Sequence, residues 1–154
     1  MKIRKASTED YPTLTRLAHE AKRHWGYPEH WIKHWEQALT ITPEYIASNQ
    51  VFVAEDDDER ILGFYALVVS QALAELDHMW VSPEHMGTGV GKALFIHAMR
   101  GAKGQNISEV EILSDPHAEE FYKKMGAYRT GESFSEIDGQ PRVLPRLAID
   151  PASS

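Results

Sequence analysis

Cysteine is absent from this 154-residue sequence, and several kinds of chemistry are absent with it. Without a thiol the chain can form no disulfide, no thiolate metal site and no covalent acyl-cysteine intermediate. The missing cysteine does not by itself fix a cellular compartment. Any catalysis by this chain must therefore depend on other side chains or on the backbone.

Long hydrophobic runs and an excess of positive charge are also missing. The first six residues lack the apolar segment of a signal peptide, and no apolar run approaches the roughly 20 residues that span a bilayer. We therefore expect a cytoplasmic protein with no membrane partner. With 23 acidic and 16 basic residues the net charge is −7, so a nucleic acid partner is not expected. The length and the 42% hydrophobic content predict a single domain over residues 1–154.

What the sequence does contain is a string of glycines after a hydrophobic, extended run at 73–81. The string is Met86-Gly87-Thr88-Gly89-Val90-Gly91-Lys92, and a helical pattern begins within it. Alternate glycines leave backbone N–H groups uncovered, and the helix that follows points its partly positive N-terminus at them. This alternation directly after a strand favours an anion site, most simply for a phosphate, over a plain turn before a helix.

Two well-known phosphate loops do not match this string. A P-loop reads GxxxxGK followed by Ser or Thr, whereas Ala93 follows Gly91-Lys92 and Met86 stands five places before Gly91. Without the hydroxyl there is no magnesium ligand, so a nucleoside triphosphatase is not expected. A dinucleotide GxGxxG loop starting at Gly87 would need a glycine where Lys92 stands.

A second segment, residues 115–127, has the marks of a capped amphipathic helix. Asp115 suits the N-cap, Pro116 the first helical position and Gly126 the C-terminal left-handed position. Four apolar residues with i, i+3, i+4, i+7 spacing form one stripe: Ala118, Phe121, Tyr122 and Met125.

Together the two segments resemble the GNAT N-acetyltransferase superfamily. Met86-x-x-Gly89-x-Gly91 is similar to the (Gln/Arg)-x-x-Gly-x-(Gly/Ala) loop that binds the pyrophosphate of acetyl-coenzyme A, with Met86 in place of Gln or Arg. Residues 115–127 are similar to Asn-x-x-Ala-x-x-Phe-Tyr-x-x-x-Gly-Phe, with Asp115 for Asn and Ala127 for the last aromatic. The resemblance covers residues 50–149 well and the N-terminal third loosely.

The pattern of strands and helices fits the same fold class. Alternating and apolar periodicities predict an α/β (α+β) mixed sheet with the order β-α-α-β-β-β-α-β-α-β-β. The strands are expected near residue 3 and at 50–55, 61–70, 73–81, 108–113, 128–136 and 142–149, and the helices after residue 7, at 29–38, from the glycines to 100 and after 115. A further short turn of helix is expected from Thr42. The resemblance implies that the fourth and fifth strands separate and that the cofactor's pantetheine arm lies in the gap.

The resemblance also implies a cofactor site. Acetyl-coenzyme A is expected as co-substrate, with its pyrophosphate on the glycine string and no metal. The backbone around Met79, Trp80 and Val81 is expected to meet the pantetheine amides and the thioester carbonyl. Asp115 is either a helix cap or, where the family has Asn, a ligand contact.

Acetyl transfer to an amine requires a neutral amine and a proton for the leaving thiolate. Tyr122 is the candidate acid, because a phenol with a pKa of about 10 stays protonated at neutral pH; periodicity alone would make it a core aromatic. Glu75 and Asp77 are candidate bases, two apart on one strand and therefore on one face. They could equally be solvated carboxylates. His78 faces the other way and is a poorer candidate.

The N-terminal third contains an aromatic group that the resemblance places at the acceptor pocket. His24, Trp25 and Tyr27 are the expected substrate-binding residues, although the tryptophans of this region could simply pack helices. His30 and His34 have the spacing of a metal pair, but the HExxH pattern fails and a metal is not expected.

Taken together, the sequence predicts a transferase: an acetyl-coenzyme A-dependent N-acetyltransferase that acetylates a primary amine of a small-molecule or peptide acceptor in a ternary complex. The alternative is a non-catalytic domain that binds or senses acyl-coenzyme A, which would need the glycine string but neither Tyr122 nor a base. Pro141 and Pro145 mark the last strand as an edge at which a second copy could form a homodimer.

Overall fold

The structure is a computed structural model and describes residues 1–153. None of the helices in this part of the chain combines the length and the apolar character needed to cross a bilayer. The strands are β1 Lys2–Lys5, β2 Gln50–Glu55, β3 Ile61–Ser70, β4 Leu73–Val81, β5 Glu109–Leu113, β6 Tyr128–Ile137 and β7 Gln140–Ile149. The α-helices are α1 Tyr11–His24, α2 Glu29–His34, α3 Glu36–Leu39, α4 Pro43–Ser48, α5 Val90–Gly104 and α6 Glu119–Lys124.

The strands form one mixed sheet in the order β1-β2-β3-β4-β5-β7-β6, which confirms the predicted fold class. β4 and β5 run parallel, while β1–β2, β2–β3, β5–β7 and β6–β7 are antiparallel. In the described residues the β4–β5 register pairs end at Glu75↔Glu111, although β4 continues to Val81 and β5 to Leu113. The two parallel strands therefore separate, as the family resemblance implied.

The chain divides into two compact units, and β3, β4 and α5 each pass through both. The first unit comprises residues 1–67 and 78–94, and the second comprises residues 68–77 and 95–154. The expectation of a single domain over residues 1–154 stays a prediction.

In the first unit, α1 packs its apolar stripe onto β2 and β3. Leu14, Leu17 and Ala18 join the buried cluster of Val53 and Phe64. A capping box precedes the helix at Ser7, whose N–H donates to Asp10 Oδ2 at 2.8 Å. α1 is thereby fixed at its start and along one side.

In the second unit, the buried residues come from α5, α6, β5 and β7. They include Phe95, Ala98, Met99, Ala102, Val110, Ile112, Tyr122, Leu147 and Ile149. The turn between β6 and β7 lies at Asp138-Gly139, with φ values of 55° and 73° that suit a tight hairpin.

The predicted helix 29–38 is wrong as a single element, because it divides at Trp35 into α2 and α3. Trp35 has φ −88° and ψ 2°, and its N–H turns back to the carbonyls of Trp31 and Ile32. The Trp35 ring lies edge-on to Tyr27 at 5.1 Å. Packing among these rings outweighs the local helical pattern. The turn predicted at Thr42 is a full helix, α4, which Thr42 caps through Tyr45 N–H at 3.0 Å.

The prediction that β7 is an edge strand is also wrong, because β7 lies between β5 and β6. β5 pairs with β7 only over residues 146–149, and Pro145 O accepts from Ser114 N at 2.9 Å. A residue's N–H and C=O point the same way in an antiparallel strand, so the missing N–H of Pro145 faces the β5 side beyond the last register pair. Pro145 therefore removes no ladder bond. The homodimer stays a prediction.

Candidate active site

The glycine string forms the connection from β4 to α5 in the first unit. A 3₁₀ turn at Pro83–His85 follows β4, and α5 begins at Val90. Gly87 and Gly89 have φ values of +79° and +94°, and a Cβ atom at either position would meet no atom within 4 Å. Glycine is therefore required here by the left-handed backbone and not by a close approach.

The first N–H groups of α5 are available to a ligand. Ala93 N donates to Gly89 O at 3.0 Å, so the amides of Val90, Gly91 and Lys92 come before the first bond of the helix and have no partner among the described residues. Val90 is buried, while the three residues before it are exposed. The turn is thus anchored and open, and a 15-residue helix adds a partial positive charge. Such a turn can hold a phosphate group.

The end of β4, also in the first unit, offers backbone groups along the edge away from β3. Ser82 N donates to a β3 carbonyl at 2.8 Å, and a Cβ on Gly63 would lie 2.7 Å from Trp80 O. The backbone groups of Ser82 and Trp80 therefore face β3, and those of Met79 and Val81 face the opposite edge. Both residues lie beyond the last β4–β5 register pair within the described residues. Their N–H and C=O groups can bind an extended ligand as a strand would.

Glu75 and Asp77 lie in the second unit, on the exposed face of β4, whereas the next residue, His78, is buried. The period-2 alternation therefore places the two carboxylates on one face as predicted. Burial raises the pKa of Glu75, and the charges of Asp77 and of Glu111, its register partner, raise it further, while Arg146 opposes the rise. A carboxylate with a raised pKa is a stronger base, which suits proton removal from an ammonium group.

Tyr122 lies in the second unit and is 6% exposed. Its ring centroid is 5.3 Å from that of Phe121 and 6.0 Å from that of Phe95. Burial raises the pKa of the hydroxyl, and the charge of Asp115 raises it further, so the phenol stays protonated. The hydroxyl makes no hydrogen bond to another described residue. Tyr122 thus packs as a core aromatic and retains an uncommitted donor.

Asp115 caps the start of the helical segment. Its carboxylate accepts the backbone N–H of His117 at 2.9 Å and approaches His117 Nδ1 at 2.8 Å. The segment begins as a 3₁₀ turn at Pro116–Ala118, and α6 follows at Glu119–Lys124. The cap that the sequence predicted is present, and a contact from Asp115 to a ligand stays a prediction.

The three predicted acceptor residues of the first unit lie at the end of α1 and after it. The His24 and Trp25 rings are in edge contact at 5.1 Å. Tyr27 stacks on Trp31 at 6.0 Å, and the Lys22 ammonium lies 5.0 Å from the Tyr27 ring centroid. The structure therefore gives Tyr27 a role in packing α1 against α2 and leaves His24 exposed.

The candidates fall into two groups, one in each unit. The first unit contains the glycine string, the end of β4 and the acceptor candidates. The second contains the carboxylates, Asp115 and Tyr122. Sequence reasoning missed Glu111, because strand register is a long-range property. It also missed the pairing of His78 with Trp80, for which the two-residue spacing on a strand was an available signal.

Comparison with known proteins gives a consistent result. The family model described as an acetyltransferase (GNAT) domain matches residues 47–126. A spermidine N(1)-acetyltransferase of Thermoplasma acidophilum is 25% identical over 158 residues, which cover 95% of this chain and 96% of that protein. The peptidyl-lysine N-acetyltransferase YjaB of Salmonella typhimurium is 30% identical over 111 residues, which cover 71% of this chain and 70% of that protein.

A solved structure shares the fold. The PaiA N-acetyltransferase of Thermoplasma acidophilum, solved in complex with coenzyme A, superposes with a TM-score of 0.76 at 24% identity. The similarity covers 97% of this chain and 98% of that one.

Proposed function

The chain belongs to the GNAT family of acetyltransferases, and we propose that it transfers an acetyl group from acetyl-coenzyme A to a primary amine by direct attack in a ternary complex. The observation that carries the proposal is the set of unpartnered amides at the start of α5, displayed by a turn in which glycines at 87 and 89 have positive φ.

Those amides fit the diphosphate of coenzyme A. Val90, Gly91 and Lys92 supply three N–H donors at the positive end of α5, and the turn before them is exposed. Met86 adds no donor, so in this chain the grip comes from the backbone. A diphosphate also needs no metal here, because the helix end and the Lys92 ammonium compensate its charge.

The backbone of Met79 and Val81 orients the acyl arm. Their outward N–H groups donate to a pantetheine carbonyl and to the thioester oxygen, and their carbonyls accept from pantetheine amides. As the amine adds to the carbonyl carbon, negative charge grows on that oxygen, and a fixed N–H donor stabilises it more than it stabilises the ground state.

The carboxylates and Tyr122 move the protons. Glu75 or Asp77, directly or through water, takes a proton from the ammonium group, whose pKa of about 10.4 otherwise keeps it unreactive. The nitrogen forms the C–N bond and gives up its second proton to solvent, the C–S bond breaks, and the sulfur leaves as a thiolate to which the Tyr122 hydroxyl donates. The phenol regains its proton from solvent. The balance is one amide, one thiol and one released proton.

The acceptor is a primary amine, and two relatives suggest which amines to try. One is named for spermidine and the other for lysine in peptides. A net charge of −7 is compatible with either cation. The acceptor panel should therefore contain a polyamine, free amino acids and lysine-containing peptides.

Calorimetry with acetyl-coenzyme A tests the loop. We expect Gly89→Ala to weaken binding at least about tenfold, because alanine at φ +94° costs on the order of 1–3 kcal/mol and drives the turn out of shape. The matched control is Gly139→Ala, at φ +73° in the β6–β7 turn and with the same open space around Cβ. It should bind as tightly as the wild type. Equal losses in both variants would mean that the loop is not the cofactor site.

Release of free thiol across the amine panel tests the transfer. The proposal expects turnover with at least one primary amine. Tight cofactor binding with no turnover on any amine would instead favour the domain that only senses acyl-coenzyme A.

A further inference from the structure

A partly buried hydrogen bond joins two side chains at the end of β4. The Trp80 indole Nε1–H donates to His78 Nδ1 at 2.9 Å, and His78 is 8% exposed. The two residues are two apart on the strand, so their side chains lie on the same face of the sheet. Trp80 packs there against the cluster that α1 and α4 form with β2 and β3, and its side chain remains partly exposed.

The imidazole is held on two sides and in one tautomer. The Tyr45 ring meets it edge-on, with centroids 5.6 Å apart, and the Phe64 ring lies at 6.0 Å in a tilted arrangement. A ring nitrogen that accepts a hydrogen bond carries no proton, so the bond requires neutral His78 with its proton on Nε2. The indole N–H is a donor only and needs this acceptor. His78 is thus a fixed support for the Trp80 ring.

The backbone of Trp80 is equally fixed. A Cβ atom on Gly63 would lie 2.7 Å from Trp80 O, so β3 and β4 approach each other as closely as glycine allows. Trp80 is therefore restrained at two points, its backbone by β3 and its indole by His78. Its neighbours Met79 and Val81 present the backbone groups assigned above to the acyl arm. The indole therefore flanks the proposed thioester site on the face that carries α1 and α4.

We propose that the Trp80 indole forms a wall of the acceptor site and that His78 is the positioning residue that fixes its orientation. This inference rests on the proposed function. An indole face attracts an ammonium group through its quadrupole, so the wall suits a cationic acceptor, whose proton reaches Glu75 or Asp77 on the opposite face of β4 through water. His78 itself touches neither acceptor nor cofactor and acts through Trp80.

Three substitutions at His78 separate the two ring nitrogens. His78→Phe keeps a ring and removes the acceptor, His78→Asn places an amide oxygen near the position of Nδ1, and His78→Gln places one near Nε2. The kinetics use acetyl-coenzyme A and the panel amine with the highest kcat/KM. We expect His78→Phe to raise the acceptor KM about 3- to 10-fold, the contribution of one hydrogen bond, with kcat and the acetyl-coenzyme A KM within about twofold.

The second readout is the Trp80 indole N–H signal in ¹⁵N-labelled protein, assigned by its loss in Trp80→Phe. It should move and exchange faster in His78→Phe, and His78→Asn should restore both the signal and the acceptor KM. Rescue by Gln and not by Asn would overturn the inference, since the Nε2 side would then be the important one. An equal rise in both KM values would also overturn it, because that is the effect of general loosening.

A double substitution tests the route of the effect. If His78 acts only through the indole N–H, adding His78→Phe to Trp80→Phe changes the acceptor KM no further, whereas additive effects contradict the inference. Thermal melting of each variant confirms that it is folded. Wild type without turnover on any amine would remove the proposed function and this inference together. Normal turnover with an unchanged acceptor KM in His78→Phe would remove this inference alone.

Discussion

The candidate cofactor-binding groups of residues 1–67 and 78–94 are mainly backbone amides, whereas the candidate catalytic groups of residues 68–77 and 95–153 are side chains. In the first unit the proposed roles of the glycine string and of Met79 and Val81 depend on φ angles and N–H directions. In the second, the proposed roles of Glu75 and Tyr122 depend on single carboxylate and hydroxyl groups. The difference explains why Met86 can replace Gln or Arg in the loop motif, since a backbone site depends on conformation more than on side-chain identity.

The two units also differ in how burial affects chemistry. The proposed binding by the glycine string depends on the exposure of residues 87–89 and on the amides of Val90, Gly91 and Lys92, which have no partner in the part of the chain that the structure describes. The proposed roles of Glu75 and Tyr122 depend instead on desolvation, which raises the pKa of both groups although Glu75 lies on the exposed face of β4. The raised pKa makes the carboxylate a better proton acceptor and keeps the phenol protonated. Substitutions should therefore affect binding in one unit and rate in the other.

The largest expected effect comes from a substitution in the second unit, whose candidate groups are side chains. Tyr122→Phe should lower kcat about 10²- to 10⁴-fold, the usual contribution of a positioned acid, with little change in acetyl-coenzyme A affinity. Steady-state thiol release measures the rate. Tyr65→Phe is the control, because Tyr65 is also buried, at 1% exposed, and burial also raises its pKa. Equal rates for Tyr122→Phe and the wild type would reduce Tyr122 to a core aromatic.

The next largest effect is expected in the first unit, whose candidate groups are backbone amides. Gly63→Ala places a Cβ 2.7 Å from Trp80 O, so β4 must shift, and we expect a loss of about 1–3 kcal/mol in the free energy of unfolding. Weaker acetyl-coenzyme A binding should accompany it, because Met79 and Val81 move with the strand. Denaturant titration and calorimetry measure the two. Gly131→Ala in β6, with no atom within 4 Å, should change neither; an undisturbed Gly63→Ala would contradict the close approach.

A smaller effect is expected from the charges that act on the pKa of Glu75. If Glu75 is the base, kcat/KM falls as pH drops through its pKa, because the protonated carboxyl cannot accept a proton. Glu111→Gln removes a like charge and lowers that pKa, so the acid limb moves to lower pH. Arg146→Gln removes an attraction, and the limb moves to higher pH. The pH profile of kcat/KM measures both shifts. Shifts in the same direction would exclude Glu75 as the titrating base.

The smallest effect should come from restoring the family's usual residue. Met86→Gln adds one donor to a site already formed by the backbone, so acetyl-coenzyme A affinity should rise by about 2- to 10-fold at most. Calorimetry measures the change. A gain of 100-fold or more would show that side chains dominate this site and would remove the contrast between the two units.

Much of the fold could be predicted from local patterns. The strands at 50–55, 61–70 and 73–81 have the predicted bounds, because short apolar or alternating runs between turn signals are typical of buried or half-buried strands. The same alternation predicted that Glu75 and Asp77 share a face. Positive φ at Gly87 and Gly89 follows from the glycines themselves.

Other features depend on residues far apart in the chain. The break at Trp35 comes from ring packing with Tyr27, against a continuous helical pattern. β7 lies inside the sheet because it pairs with β5 over residues 146–149. Its prolines allow this pairing because they lie before residue 146, where their missing N–H groups remove no hydrogen bond to β5. The predicted roles of Tyr122 and Asp115 stay predictions, although the structure shows how each is packed.

The amino-acid sequence alone determined where strands and helices form, which side chains share a face, and that a glycine turn opens a helix, since these follow from periods of 2 and 3.6 residues and from φ preferences. Only the tertiary structure decided that β7 is interior, that Glu111 faces Glu75 and that His78 supports Trp80. Each of these depends on which strands pair or which side-chain rotamers are adopted, and both are determined by contacts between residues far apart in the chain.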